Sequence, residues 1–378
     1  MKIGIYIDVL KAREKTGIGR YIEGLIKSLV ELDNDSQYIL YYQVPLFSKL
    51  SIDIGIQSSK IILRPIKFSS QWFDRRPRLW WDYYLPFIAQ LDRIDIFHGP
   101  NHFIPSRGTF KKVVTIHDIA YFFMNVHGSG MDRILKNWTL KSMEAADIVI
   151  GVTDSTINDC IKEGLDSNKA IKIYQGFESS FEHLRLNDDE VALEIENLKL
   201  PEKCILFLGS IQPRKNLCFL VNSFATICES IPHTLVLAGG PGSSQNEVEN
   251  LVAKHNLSTR VVFTGYISDK QRAALYQHSE LFVYPSKYEG FGLVLLEAMS
   301  FGLPVITCHN SSLPEVVNDA GILVESDNIQ ALAESIYKVL SDDIFRQNLT
   351  DRGLKRCTKF TWNQCAKLTY GVYKNLVS

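Results

Sequence analysis

The residues best placed to do chemistry lie in Tyr284–Gly302, YPSKYEGFGLVLLEAMSFG. An apolar run ends at Tyr284, a short loop follows, and Glu289-Gly290-Phe291-Gly292 opens a helix-spaced stretch that continues through Leu293. Glycines at a helix start expose backbone N–H groups at the positive end of the helix dipole, a ready anion site. Glu297 falls inside the apolar stretch, between Leu296 and Ala298, where a carboxylate without hydrogen-bonding partners is costly. The two glutamates flank the expected anion site, one in the loop and one in the helix. That arrangement suits a diphosphate with hydroxyl-rich groups on either side. The alternative makes Glu289 a helix-end charge and Glu297 a solvated residue.

Other segments carry weaker signals of the same kind. Gly209–Asn216, GSIQPRKN, follows a buried strand and precedes a helix, and its Arg214 and Lys215 either neutralise a diphosphate or form a solvated charge pair. Thr16-Gly17-Ile18-Gly19-Arg20-Tyr21 joins the first strand to the first helix. It is not G-x-G-x-x-G, because Ile22 takes the sixth position. Gly17 and Gly19 either let backbone approach a ligand closely or form a plain turn. Lys112–Asp118, KVVTIHD, ends a strand on His117 and Asp118, and the aspartate either orients the histidine or caps the segment after it. In HGPNH, Gly99 and Pro100 forbid the helix that would align His98 and His102 as zinc ligands. Asp33-Asn34-Asp35 reads as a turn rather than a metal-holding D-x-D. No Walker A, G-x-S-x-G or H-E-x-x-H motif is present.

Positioning these residues requires a scaffold of alternating strands and helices. Strands are expected at Lys2–Asp8, Tyr38–Val44, Lys60–Ile66, Asp95–His98, Lys112–His117, Asp147–Thr153 and Ala170–Tyr174. A second series follows at Cys204–Gly209, Thr234–Ala238, Arg260–Thr264, Leu281–Tyr284, Pro304–Thr307 and Gly321–Val324. Several are apolar without alternation, as strands buried on both faces of a parallel sheet are. Helical spacing appears at Ile22, Leu25, Ile26, Leu29 and Val30, and over Asn216–Ile227, Gln271–His278, Phe291–Phe301 and Ile329–Leu340. Polar Ser179–Lys199 reads as a linker between two open-sheet α/β domains, with ligands expected at the carboxyl ends of the strands.

Composition bounds the function. The 378 residues are 46% hydrophobic and 22% charged, with a net charge of -1, which argues against a globally basic nucleic-acid binder. Residues 1–115 nevertheless hold 17 Lys+Arg against 11 Asp+Glu, a net of +6. The seven cysteines are scattered and mostly in apolar runs, as buried thiols of a reducing compartment are. Met1–Leu10 does not read as a signal peptide, and Gly292–Cys308, the most apolar window, carries Glu297 and Pro304. A cytoplasmic location is expected. The cluster Trp72, Arg75, Arg76, Arg78, Trp80, Trp81, Tyr83 and Tyr84 either lies on an anionic membrane or packs internally.

Glu289 and Glu297, with seven residues between them, form the E-x7-E motif of retaining glycosyltransferases, and EGFGLVLLEAM closely resembles its family 4 form. The resemblance covers nearly the whole chain and implies the GT-B fold, two Rossmann-like domains facing a cleft. It implies an acceptor-side domain at 1–185, a donor-binding domain at 195–360, and a last helix at about 361–378 packed back on the first. By this resemblance Lys215 and Arg214 contact the donor diphosphate, as do the N–H groups of Gly290, Phe291, Gly292 and Leu293. Relatives often carry Arg where this chain has Ser210, which shifts cationic load to Arg214. Gly17 and Gly19 face the donor phosphate, Ile267 in Gly265-Tyr266-Ile267 reads the base through its backbone, and Glu297 binds the ribose hydroxyls. Glu289 contacts the donor sugar, and His117 approaches the sugar and the reacting centre. The resemblance implies no protein nucleophile, metal or cofactor. It implies a nucleotide-diphosphate sugar donor (GDP-mannose first, a UDP-hexose or UDP-N-acetylhexosamine next) and a glycan or lipid-linked acceptor. No nucleic acid is implied, and the basic first 115 residues suit peripheral contact with an anionic membrane. A nucleotide-sugar epimerase and a non-enzymatic glycan-binding protein are the readings from other classes.

Overall fold

The computed structural model describes residues 1–11, 17–46, 52, 54–68, 79–177 and 184–378. Thr16, the Trp72–Arg78 part of the aromatic cluster and the beginning of Ser179–Lys199 lie outside the described residues. Two compact units are present, Met1–Gly176 with Phe360–Ser378, and Phe177–Lys359.

The first unit is built on seven parallel strands: β1 (Lys2–Tyr6), β2 (Gln37–Pro45), β3 (Ile61–Phe68), β4 (Ile96–Gly99), β5 (Lys111–Ile116), β6 (Ile148–Gly151) and β7 (Ala170–Lys172). Their order is β3-β2-β1-β4-β5-β6-β7, so the chain reverses direction across the sheet between β1 and β4. Alternation along each strand divides its side chains between two cores. In β2, Tyr38, Leu40 and Tyr42 face the first helix, Gly17–Leu32, and the last helix, Trp362–Val377, whereas Ile39 and Tyr41 join Trp80, Leu85, Phe97 and Val114 on the other face.

The second unit repeats the plan with β8 (Cys204–Leu208), β9 (Thr234–Ala238), β10 (Val261–Gly265), β11 (Leu281–Tyr284), β12 (Val305–Cys308) and β13 (Ile322–Val324), in the order β10-β9-β8-β11-β12-β13. Here the reversal falls between β8 and β11, the place where open α/β sheets bind ligands. The fully buried β9, β11 and β12 are the non-alternating apolar runs expected of strands covered on both faces.

All thirteen expected strands are present, and three differences from the sequence reading concern helices. The helix Gly17–Leu32 starts earlier than expected, so Gly17 and Gly19 form its first turn rather than a loop. The reason is that Ile18 and Tyr21 continue the apolar stripe of Ile22 and Leu25, and both pack on the core. Within Ser179–Lys199, Asp188–Asn197 is a helix rather than linker. Asn187 and Glu190 close a capping box, and Asp188, Asp189 and Glu190 place negative charge at the positive end of the dipole. The polar run is therefore a helix start. Ser129–Ala145 is a 17-residue helix whose buried face is mostly polar or small (Asp132, Thr139, Ser142, Met143), which hid it from an apolar period. No described helix is long and apolar enough to cross a membrane.

Candidate active site

In the second unit, the loops after β8 and β11 meet at the reversal point. Residues Pro213–Lys215 make a single 3-10 turn, and Asn216 takes a left-handed conformation (φ 56°) that redirects the chain into the helix Leu217–Ile227. The Arg214 carbonyl accepts hydrogen bonds from the Lys287 N–H (2.8 Å) and the Ser286 hydroxyl (3.0 Å), which ties the two loops together. Close approach of β8 and β9 is also built in. A Cβ on Gly239 (φ 138°) would lie 2.3 Å from the Gly209 carbonyl oxygen.

Glu289 is the hub of this junction. Its Oε1 accepts from Lys215 Nζ (2.5 Å), Arg214 (2.8 Å), the Tyr284 hydroxyl (3.0 Å) and the Ser286 hydroxyl (2.6 Å). Lys215 also donates to the Tyr284 hydroxyl. Burial alone would push the Glu289 carboxyl up, but the two cations and these hydrogen bonds hold it at about 2. Its backbone is fixed as well: its N–H donates to Ser311 Oγ (2.9 Å), and its carbonyl accepts from the Ser312 hydroxyl (2.8 Å). The Ser312 hydroxyl also reaches the Phe291 carbonyl at 3.2 Å. Gly292, at φ 98°, then caps the helix Leu293–Ser300, so Gly290, Phe291, Gly292 and Leu293 form the turn that presents this helix's positive end.

Glu297 lies one turn along that helix, 2% exposed. Its Oε2 accepts from the Tyr276 hydroxyl (3.1 Å) and stands 3.8 Å from an Arg272 guanidinium nitrogen. Ile267 follows β10, two strands beyond β8 in the sheet order, and is half-buried. The structure therefore brings Arg214, Lys215 and Glu289 into direct contact, holds Gly290–Leu293 beside them, and surrounds Glu297 and Ile267 with other neighbours.

In the first unit, His117 follows β5 directly and is 8% exposed. Its Nε2 is hydrogen-bonded with the Pro100 carbonyl at 2.8 Å, and the Tyr21 ring packs edge-on at 4.7 Å. Asp118 Oδ1 accepts from the Ala120 N–H (2.9 Å), so it caps the following turn. His98 is fully buried, with Nε2 bonded to Thr115 Oγ1 (2.8 Å) and Nδ1 to the Tyr373 hydroxyl (2.5 Å) of the last helix. His102 adopts φ 61° and places its ring 5.8 Å from that of His117. Burial depresses all three imidazoles, to about 3 for His98 and His102 and about 4 for His117. Each is thus neutral at physiological pH. Among the described residues, no group of three His, Cys, Asp or Glu side chains is arranged to hold a metal ion.

Tyr284, Ser286, Ser311, Ser312, Tyr276 and Arg272 are partners of the two glutamates that the motifs do not announce. Tyr284 and Ser286 had a signal, since they end and follow the strand at the reversal point. The other four reach the site through the tertiary fold and have none.

Residues 188–356 match the family model for glycosyl transferases group 1, and residues 15–181 match that for glycosyltransferase family 4. The O-antigen chain mannosyltransferase B of Escherichia coli is 29% identical over 377 residues, covering 96% of each chain. Among solved structures, the sucrose-phosphate synthase of Thermosynechococcus elongatus superposes with a TM-score of 0.75 at 21% identity, over 99% of this chain and 98% of that one. Anabaena Alr3699/HepE, solved in complex with UDP-glucose, gives 0.74 at 17% identity, over 99% and 100% of the two chains. These two likenesses establish the fold.

Proposed function

The chain belongs to glycosyltransferase family 4, whose members are retaining hexosyltransferases, and from that premise we propose that it transfers mannose from GDP-mannose to a hydroxyl of a lipid-linked or surface-polysaccharide glycan. The observation that carries the choice of mannose is the similarity, along nearly the whole length of both chains, to an O-antigen chain mannosyltransferase. The ionic junction after β8 and β11 supports a diphosphate. Two cations fixed on a buried carboxylate are preorganised, so they need no reorganisation when charge develops on the departing diphosphate. Lys215 and Arg214 take the diphosphate together with the positive end of the helix Leu293–Ser300, and Glu297 takes the ribose hydroxyls. Glu289 holds both cations through Oε1. Among the described residues its Oε2 accepts no hydrogen bond, and it is the atom that meets a sugar hydroxyl. Neutral His117 keeps the role that the resemblance implies, beside the donor sugar. The diphosphate itself takes the acceptor proton on the face it leaves, so retention needs no protein nucleophile. The reaction belongs to the cytoplasmic face of a membrane, and the net +6 of residues 1–115 supports peripheral contact there.

A panel of GDP- and UDP-sugars, assayed with a chelator and with anionic or neutral vesicles present, tests this reading. Release of GDP from GDP-mannose with a retained anomer is expected, together with salt-sensitive sedimentation on anionic vesicles only. Turnover confined to a UDP-sugar would replace the donor, an inverted product would remove the mechanism, and sedimentation indifferent to lipid charge would remove the membrane contact.

A further inference from the structure

A concave site lies in the first unit. It is a shallow concavity lined by Trp81, Phe103 and Trp138, with Asp82, Ser106 and Lys141 among the polar groups of its wall. Three elements build it. Trp81 and Asp82 come from the π-helical turn Trp80–Tyr84, Phe103 and Ser106 from the loop after β4, and Trp138 and Lys141 from one face of the helix Ser129–Ala145.

The Trp138 ring stands nearly perpendicular to each of the other two. Trp138 meets Trp81 at 6.3 Å and 83°, and meets Phe103 at 5.7 Å and 84°. All three are half-buried rather than enclosed, so each still offers surface to a ligand. Asp82 is already aimed, because its Oδ1 accepts from both the Ser106 hydroxyl (2.6 Å) and the Ser106 N–H (3.2 Å). Its other oxygen accepts no bond among the described residues, and Lys141 forms no ion pair among them. Flat apolar faces beside one hydrogen-bond acceptor and one donor match a sugar ring, which presents C–H groups on its faces and hydroxyls around its edge. An acyl chain would leave the carboxylate and the ammonium without partners, and Asp82 would repel an anionic headgroup.

The site also connects to the reacting centre. Phe103 follows His102 in the chain with ring centroids 6.1 Å apart, and the His102 ring stands 5.8 Å from His117. Two ring contacts thus separate His117 from the aromatic wall. We propose that Trp81, Phe103 and Trp138 form an acceptor subsite, which holds a saccharide residue of the growing glycan beyond the one that receives the transferred hexose. This rests on the transfer reading above. It adds that the enzyme prefers acceptors of more than one sugar.

The experiment uses the full chain with methyl α-mannoside, α-linked mannobioses and mannotriose as probes, read by ligand-observed NMR without nucleotide and by acceptor KM with donor saturating. The wild type is expected to bind the di- and trisaccharides more tightly than the monosaccharide. Trp138→Ala should raise the oligosaccharide KM at least tenfold, and the exposed Lys141→Ser about threefold. Both should leave GDP affinity within twofold. If Trp138→Ala fails to fold, Lys141→Ser alone decides. Unchanged oligosaccharide KM in a folded variant overturns the subsite, as does loss of vesicle binding in place of saccharide binding. Absence of nucleotide binding or turnover in the wild type overturns the transfer reading instead, while nucleotide-free saccharide binding still tests the pocket.

Discussion

At the scale of residues, the question is whether Lys215 and Arg214 serve a ligand or only Glu289. The two roles predict different mutant patterns. Removing one partner of a buried ion pair costs about 3–5 kcal/mol, because the other charge stays buried without compensation. Glu289→Ala leaves two cations in that position, and Lys215 is 6% exposed, so a loss at the top of that range is expected. Lys215→Ala leaves Glu289 still paired with Arg214 and should cost markedly less. If Lys215 holds a diphosphate, however, its loss removes a charge-assisted contact worth about 1.5–3 kcal/mol, roughly a 10- to 150-fold weakening of GDP binding. Urea denaturation and calorimetry on both variants check the asymmetry. Equal destabilisation with unchanged nucleotide affinity would make the cluster purely structural. The members of this cluster that could be read in the sequence were those whose signal is local, a cation pair in a strand-to-helix loop and a glutamate before a glycine turn. Ser311 and Ser312 could not, because they arrive from the loop after β12 and act on the Glu289 backbone.

At the scale of elements, the last helix is the piece of the first unit that comes from farthest along the chain, and its docking depends on two glycines. A Cβ added at Gly24, in the first helix, or at Gly176, just after β7, would lie 2.3 Å from the Trp362 ring. The indole therefore fills space that any larger residue at either position would occupy. Below it, the Tyr370 hydroxyl donates to Asp33 Oδ1 at 2.8 Å, which fixes Asp33-Asn34-Asp35 as a structural turn. Gly24→Ala should destabilise the protein by about 1–3 kcal/mol through overpacking, despite the better helix propensity of alanine. Trp362→Ala should cost about 3–5 kcal/mol. The double variant should cost less than the sum of the two, since the methyl added at position 24 then has room. Additive losses in thermal denaturation would show that Gly24 is not held small by Trp362. Elements like these differ in how plainly the sequence announces them. Buried parallel strands are short apolar runs and every one could be read, whereas Ser129–Ala145 and Asp188–Asn197 bury few apolar side chains and advertise themselves only through caps and polar contacts.

At the scale of the whole molecule, two sheets of like strand order carry opposite electrostatic designs, and acid should distinguish them. In the second unit Glu289 is depressed to about 2 by its cations, so the stability it contributes is complete above the ordinary carboxyl range and is lost only as pH falls toward 2. In the first unit His98, His102 and His117 are buried neutral, with values of about 3, 3 and 4 against 6.5 in an unfolded chain. Below pH 6.5 the unfolded chain takes up these protons and the folded chain does not, so folding stability falls as pH drops through 6 and 5 and levels off only below about 3. Each histidine contributes at most about 1.4 kcal/mol per pH unit across that window. His233 in the second unit moves in the same direction through burial, with Glu280 opposing it. Mild acid should therefore unfold the histidine-bearing unit while the Glu289 cluster is still fully ionised. Denaturant midpoints measured from pH 7.5 to 4.5 should fall steadily, and His98→Gln, which keeps hydrogen-bonding capacity between Thr115 and Tyr373 without a titrating ring, should flatten the slope by about one proton. A midpoint constant between pH 7 and 5, or a slope unchanged by His98→Gln, would mean that the buried imidazoles gain protons in the folded state as readily as in the unfolded one, and the neutral His117 proposed beside the sugar would go with them.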